Sequence, residues 1–467
     1  MPSGTRLMIL GVDGLDYDVV LRIGEKLLPN LHAMIFGSSP HSAVFPPDSV
    51  PSWTTIVTGQ PPELHGQIKN ANFLLEGSKA RSGASLQPDK DQCFWDRLPN
   101  RDIAVVNPFL AFPPWSPSNS GAMVSGPSFS EGPPMVCDPR SLFSGETPPR
   151  MGGFAGIPTQ RDLEDFVVAT MNVAESQFLY SLHQLEHRKW DLFFHTNLTV
   201  DRIQHYAWRH FDENDPTYAG NKLSQLIPLA HQQVDRFLGS VRALLDPEDQ
   251  LVVLSDHGHG QRSSIGVNLA EIFRRQGLLV FDRTSRVKRV IERTKTSVIS
   301  AAYACHIEEP MTWVARRLPG KQSLKSGAFA GDQNNSMVTI PDVGGSNPFG
   351  GIQVGDPALI DDVLSVVNEL EHNGKKVFRW CLPAEEILST KSNPFEFYPT
   401  LLFELEPSFG PTWNMFGREF TPIMTHKIQS GGHTRRAVFC STDASIIPPT
   451  DSLDVNRALI QLMDKYV

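Results

Sequence analysis

Short apolar runs alternate along the chain with longer stretches of helical spacing. Residues 6–12 form an apolar run that ends in Asp13-Gly14 and predicts a buried strand. Residues 21–36 carry apolar positions at helical spacing and predict one amphipathic helix. Residues 43–45 are a second apolar run, broken by Pro46-Pro47, and helical spacing resumes over 53–58 before Gly59. Residues 103–106 predict a strand. Residues 108–156 are dense in Pro, Gly and Ser and predict a loop, but one with enough Phe, Trp and Met to pack near a cleft. The pattern then predicts helix over 162–187, strand over 190–195, helix over 200–211, helix over 230–245 and strand over 250–254. Such alternation predicts an α/β fold with a doubly wound, mainly parallel sheet and helices on both faces.

From 264 to 432 the pattern becomes less periodic. Short strands are expected at 337–340 and 376–380, with a helix at 357–371. This interval reads as an inserted cap or subdomain within a core formed by 1–263 and 433–467. Residues 436–440, RAVFC, return to the core as a last strand.

Composition adds exclusions. Over 467 residues the hydrophobic share is 40% and the charged share 20%, which is ordinary for a globular chain. The net charge of -9 argues against a nucleic-acid polymer as partner. A small anionic substrate stays open, because bound cations reverse the local sign of charge. Cys93, Cys137, Cys305, Cys381 and Cys440 are far apart and form no CxxC pair, which argues against a disulfide framework and a thiolate metal site. The first apolar run is too short for a signal-peptide core, and there is no run of eighteen apolar residues. The expected compartment is the cytoplasm, with no membrane partner. A homodimer stays open.

Four segments bring Asp or His to the end of an apolar run: LMILGV before Asp13, FFHTNLTV before Asp201, LVVLS before Asp256-His257, and His433 just ahead of RAVF. Ligand sites in open α/β sheets collect at the carboxyl ends of strands. Asp201 and His205 are four apart and share one helix face, so both can hold one ion, with His433 as a third ligand. Asp13, Asp256 and His257 suit a second ion. Carboxylate with imidazole fits zinc, with manganese as the other candidate. Two metal ions close together stabilise both the attacking and the leaving oxygen in phosphoryl transfer. In FPPDSVPSWTTIVTG, Ser49 follows two stiffening prolines and offers the nucleophile, also in contact with an ion.

The sequence resembles the alkaline phosphatase superfamily, in the branch of type I phosphodiesterases and predicted phosphohydrolases or phosphomutases. The resemblance is carried, in the family's order, by GVDGLDYD, LPNLHAM, SVPSWTTIVTGQPPELHG, SGAMVSGPS, VDRIQHYAWRHFD, LVVLSDHGHG, VNLAEIFRRQGLLV and SGGHTRRAVF. It implies one metal on Asp201, His205 and His433, and another on Asp13, Asp256 and His257 with Ser49 touching it. It also implies a covalent phosphoserine intermediate. Many relatives use threonine as nucleophile. Nucleotide pyrophosphatases place Asn three residues after it, where this chain has Ser52, so nucleotide diester recognition is not implied. The sulfatase signature is absent.

Each residue also has a plainer reading. Asp-Gly is common in turns, Asp201 and His205 fit a solvated helix pair, and His426 competes with His433. Ser52, Thr54 and Thr55 compete with Ser49. Arg202 suits a phosphate or a structural ion pair, and His65 suits loop orientation or a place behind a ligand. Lys69, Asn70 and Asn72 are candidates for a substrate phosphate. The basic cluster 284–293 reads as a solvated face, and Trp53 and Trp208 as core. The expected function is two-metal hydrolysis of a small phosphorylated substrate, nucleotide-like or otherwise, monoester or diester. The alternatives are an intramolecular phosphomutase and a metal-stabilised binding protein without catalysis.

Overall fold

The run LMILGV forms β1 (Leu7–Val12), a strand buried on both faces. The computed structural model describes residues 6–67, 87–127, 135–139, 148–149, 157–280, 294, 297, 301, 336–341, 348–389, 398–412 and 417–467. The basic cluster 284–293 and the residues Lys69, Asn70 and Asn72 lie outside the described residues. Contacts divide the described chain into two compact units, one within 6–260 and 431–467 and the other within 261–430.

In the first unit β1 leads to α1 (Tyr17–Ile23), α2 (Pro29–Ile35), β2 (His41–Ser42), α3 (Ser49–Thr58) and α4 (Pro62–His65). Then come β3 (Ile103–Val106), β4 (Ala122–Ser125), β5 (Val136–Asp138), α5 (Leu163–His187), β6 (Leu192–Asn197), α6 (Thr199–Phe211), α7 (Leu226–Leu244), β7 (Gln250–Leu254) and β8 (Gly258–Gln261). The second unit contains β9 (Ile265–Val267), α8 (Leu269–Arg275), β10 (Val338–Thr339), β11 (Phe349–Val354), α9 (Ile360–Asn368), β12 (Glu371–His372), β13 (Lys375–Lys376), β14 (Phe378–Pro383), α10 (Ala384–Ile387), β15 (Leu401–Leu405), β16 (Phe409–Pro411) and β17 (Phe420–Pro422). The chain returns through β18 (Gly431–Thr434), β19 (Arg436–Ala437), β20 (Phe439–Ser441) and α11 (Ser452–Tyr466).

Seven strands form the main sheet in the order β20-β7-β1-β6-β3-β4-β5. The five central strands pair in parallel, and β20 and β5 close the edges antiparallel. Alternate residues feed two cores. Met8, Leu10 and Val12 meet Leu31 and Ile35 of α2, Phe178 of α5 and Phe237 of α7 on one face. Leu7 and Ile9 meet Trp53 and Ile56 of α3 and Leu459 and Leu462 of α11 on the other. This period of two, apolar on both sides, is what buries a parallel sheet between helix layers. In the second unit β10-β11-β15-β14 form an antiparallel sheet with its own core, including Phe273, Ile352, Val363 and Phe403.

Several expectations need correction. The single helix over 21–36 is two helices: Gly24 ends α1 at φ 84, and Pro29 opens α2 as its first residue. The loop over 108–156 contains β4, which completes the parallel set, and β5. Its AMVS run is short, and Gly and Ser on both sides mask it. Helix α3 begins at Ser49, earlier than 53, because Asp48 caps it by accepting a hydrogen bond from the Val50 amide. The last strand over 436–440 is two pieces, β19 on β2 and β20 on β7.

Candidate active site

Three neighbouring parallel strands deliver the acids. Asp13 follows β1, Asp256 and His257 follow β7, and Asp201 lies in the first turn of α6 after β6. Gly14 makes the tight turn with φ +67, and a Cβ there would lie 2.9 Å from Asp201 Cβ. Glycine thus lets the turn after β1 approach the start of α6. The Gly14 amide donates to Asp256 Oδ1 at 3.2 Å, tying the turns after β1 and β7 together.

Asp13, Asp256 and His257 form one cluster of buried ligand-competent atoms within 4.8 Å of one another. His257 Nε2 lies 3.6 Å from Asp13 Oδ1 and 3.3 Å from Asp256 Oδ2. Ser49 Oγ donates to Asp13 Oδ1 at 3.3 Å and sits 3.1 Å from His257 Nε2. The competing hydroxyls go elsewhere. Thr54 Oγ1 donates to the Val50 carbonyl, Thr55 Oγ1 pairs with His65 Nε2, and Ser52 Oγ is buried without a partner.

The second cluster gathers around Asp201. His205 Nε2 is 3.4 Å from Asp201 Oδ2, His433 Nε2 is 3.4 Å from Asp201 Oδ1, and the two imidazole nitrogens are 3.1 Å apart. His426 belongs to the other unit. In each of three histidines Nδ1 faces a backbone carbonyl: Gly431 for His205, Gly258 for His257 and Pro47 for His433. A carbonyl only accepts, so Nδ1 carries a proton and Nε2 is the nitrogen turned to the cluster, where it offers a lone pair once any proton of its own is lost.

Two residues were missed in the sequence. His259 lies on β8 with Nδ1 3.3 Å from Asp201 Oδ1. Its place in SDHGHG, two residues past His257, was the available signal. Trp53 is buried, as read, but its Nε1 also donates to Asp13 Oδ2 at 2.9 Å. His65 orients its loop: its Nδ1 accepts from the Gln67 amide. Trp208 is core.

The electrostatics call for cations. Burial, and then the charges of Asp256 and Asp201, push the Asp13 carboxyl well above the usual range. Burial does the same to Asp256. Burial also raises Asp201, but the charge of His205 and the close imidazoles of His205, His259 and His433 win and hold it well below. His433 rises to about 9: burial opposes protonation, and the Asp201 carboxylate outweighs it. Burial holds His257 well below its ordinary value and His259 down to about 3, so both rings are neutral and ligand-competent. Asp201 Oδ1, Asp256 Oδ2 and both ring nitrogens of His259 are buried without a hydrogen bond. Buried polar atoms are nearly always satisfied. An orphaned set of carboxylate oxygens and imidazole nitrogens fits divalent metal ions.

The sequence profile of the type I phosphodiesterase / nucleotide pyrophosphatase family matches residues 7–323. No curated protein matches the chain in sequence. Among solved structures, phosphonoacetate hydrolase from Sinorhizobium meliloti 1021 in complex with phosphonoformate shares the fold at TM-score 0.55 and 13% identity, covering 98% of this chain and 96% of that one. Its complex with phosphonoacetate gives TM-score 0.54 and 14% identity, with the same coverage. A murine ectonucleotide pyrophosphatase/phosphodiesterase in complex with AMP aligns at TM-score 0.44 and 12% identity, over 98% of this chain and 95% of that one. Among the described residues no helix is long and apolar enough to cross a membrane. The chain belongs to the type I phosphodiesterase / nucleotide pyrophosphatase family of the alkaline phosphatase superfamily, a family of phosphoester hydrolases that typically depend on divalent metal ions.

Proposed function

We propose that the protein hydrolyses a small phosphorylated substrate through a phosphoserine at Ser49, with one divalent cation on Asp13, Asp256, His257 and Ser49 and a second on Asp201, His205 and His433. The observation that carries the reading is the position of Ser49 Oγ, 3.3 Å from Asp13 Oδ1 and 3.1 Å from His257 Nε2. No neighbouring hydroxyl is so placed. Cations in these sets would offset phosphoryl charge and lower the proton affinity of a coordinated hydroxyl. Zinc suits the imidazole-rich Asp201 set best, and manganese is the competitor at the acid-rich set.

The chain's own residues account for the rest. Ser49 Oγ attacks phosphorus and its proton leaves toward Asp13; the Oγ–P bond forms as the bond to the leaving oxygen breaks, and the leaving group departs as its alcohol, carrying that proton. Water then cleaves the Oγ–P bond, freeing phosphate and restoring Ser49. Ser49 opens α3, whose N-terminal end favours an anion. Trp53 and the Gly14 amide hold the two acids that flank the serine. The test is a panel of phosphomonoesters, phosphodiesters and a phosphonate, with zinc and manganese added separately. Ser49→Ala is expected to lose on the order of 10³-fold or more in kcat while keeping its bound metal. Full turnover in Ser49→Ala would sink the nucleophile, and isomerised product without free phosphate would replace hydrolysis by a mutase.

A further inference from the structure

We propose that His259, through Nδ1, is a fourth protein ligand of the Asp201 site, which then holds its cation with one carboxylate and three imidazoles. The proposal rests on the two-metal reading and adds a residue outside the seven ligands that reading uses. His259 is 2% exposed. Its backbone amide is pinned to Asp16 Oδ2 at 3.0 Å, which fixes the strand that carries it. Its Nδ1 lies 3.3 Å from Asp201 Oδ1, and the ligand atoms of Asp201, His259 and His433 lie within 4.8 Å of one another. The His205 ring is centred 4.7 Å away.

A histidine buried only for packing finds partners for its nitrogens. Nε2 of His259 has none, and Nδ1 has only the Asp201 carboxylate, 3.3 Å away and out of hydrogen-bond geometry. The space around the ring is shaped as well. A Cβ on Gly431 would collide with the Gln204 carbonyl and lie 2.6 Å from His259 Nε2, so glycine at that position gives the imidazole its room. Zinc bonds of about 2.0–2.1 Å place tetrahedral ligand atoms about 3.3 Å apart. Asp201 Oδ1 lies 3.3 Å from His259 Nδ1 and 3.4 Å from His433 Nε2, Asp201 Oδ2 lies 3.4 Å from His205 Nε2, and the His205 and His433 nitrogens are 3.1 Å apart. His259 thus adds a donor at ligand spacing on the Oδ1 side of the carboxylate.

The experiment titrates the full-length zinc-loaded protein with a chelator and counts metal per chain by elemental analysis. Wild type is expected to hold two equivalents. His259→Ala and the volume-conserving His259→Gln are expected to lose one of them at about 10–100-fold lower chelator strength. A wild-type release curve in both variants would overturn the proposal. A second readout needs no variant. With cobalt(II) at both sites, wild type is expected to show four hyperfine-shifted imidazole N–H signals, for His205, His257, His259 and His433. Three signals would overturn the proposal while leaving the two-metal reading standing. A wild-type chain that binds no cation would remove that reading first.

Discussion

Asp13, Asp256 and His257 sit on turns that directly follow two neighbouring strands, whereas the Asp201 cluster joins a helix to a ribbon, with His205 and His433 separated by 228 residues. The first cluster is rich in acid and has little internal counter-charge, so burial drives the carboxyls of Asp13 and Asp256 upward. The second neutralises itself, because histidines hold Asp201 ionised. One cluster thus holds buried acid without counter-charge, and the other is partly neutralised by its own histidines. A sheet edge supplies rigid acids cheaply in sequence, while a balanced site needs distant segments brought together.

Paired variants break this contrast most directly. With cations loaded, Asp256→Asn and Asp201→Asn should each lower kcat/KM on the order of 10³-fold or more if each carboxylate holds the ion proposed for it. Without metal the two should diverge in sign. Asp256→Asn removes a buried, repelling carboxylate and should raise stability, whereas Asp201→Asn strands histidines and should lower it, each by about 1–3 kcal/mol. Denaturant unfolding of the chelated proteins measures this, and equal signs would end the distinction.

A pH scan sharpens it. In the metal-free protein His433 has a folded value raised to about 9 from 6.5. Its stabilising contribution is complete below about pH 6.5 and is lost as pH rises through 9. Asp13 and Asp256, raised in the fold, act in the same direction: stability falls as pH climbs from the ordinary carboxylate range toward their elevated values. The chelated protein should therefore lose Tm between about pH 6.5 and 9, and His433→Gln should flatten that upper window. An unchanged slope in His433→Gln would show that His433 is not paired with Asp201.

Gly14→Ala acts on the junction of the two clusters. The φ of +67 and the close Asp201 Cβ make any side chain there strained. We expect a loss of about 1–3 kcal/mol and weaker metal retention at both sites, read by thermal melts with and without chelator.

The same contrast governs what was legible in the sequence. Strands β3 and β7 were readable to the residue, because a run buried on both faces and bounded by turn residues has few other readings. Asp13 and Asp256-His257 follow such runs directly, so local pattern placed them. The pairing of Asp201 with His205 followed from helical spacing. His259 was lost because strand alternation puts residues two apart on one face, so the pattern gives no reason to assign it to a different cluster from His257, and sequence order does not say which strand of a ribbon faces which helix. The split of α1 from α2 was hidden because the apolar stripe continues across Gly24. The role of Trp53 as a donor was hidden because an indole in a helix looks like packing.

The smallest expected effect concerns that indole. Trp53 Nε1 donates to Asp13 Oδ2, while the other oxygen of Asp13 faces Ser49 and His257. Trp53→Phe keeps most of the apolar contact with Phe194 and the α3 face but removes the donor. The hydrogen bond lowers the Asp13 carboxyl against the burial that raises it, so its loss pushes the carboxyl higher still. Cost in stability should be about 1–2 kcal/mol. Cost in kcat should be a few-fold, because Asp13 keeps its place on the turn after β1 and only its orientation loosens. The loss should shrink when the cation concentration is raised, since the indole acts through Asp13 and not on the substrate. A loss as large as that of Asp13→Asn, insensitive to added cation, would mean that Trp53 helps to shape the acid-rich site itself, and the contrast between a rigid acid turn and a self-balanced histidine cluster would have to be redrawn around the helix that carries Ser49.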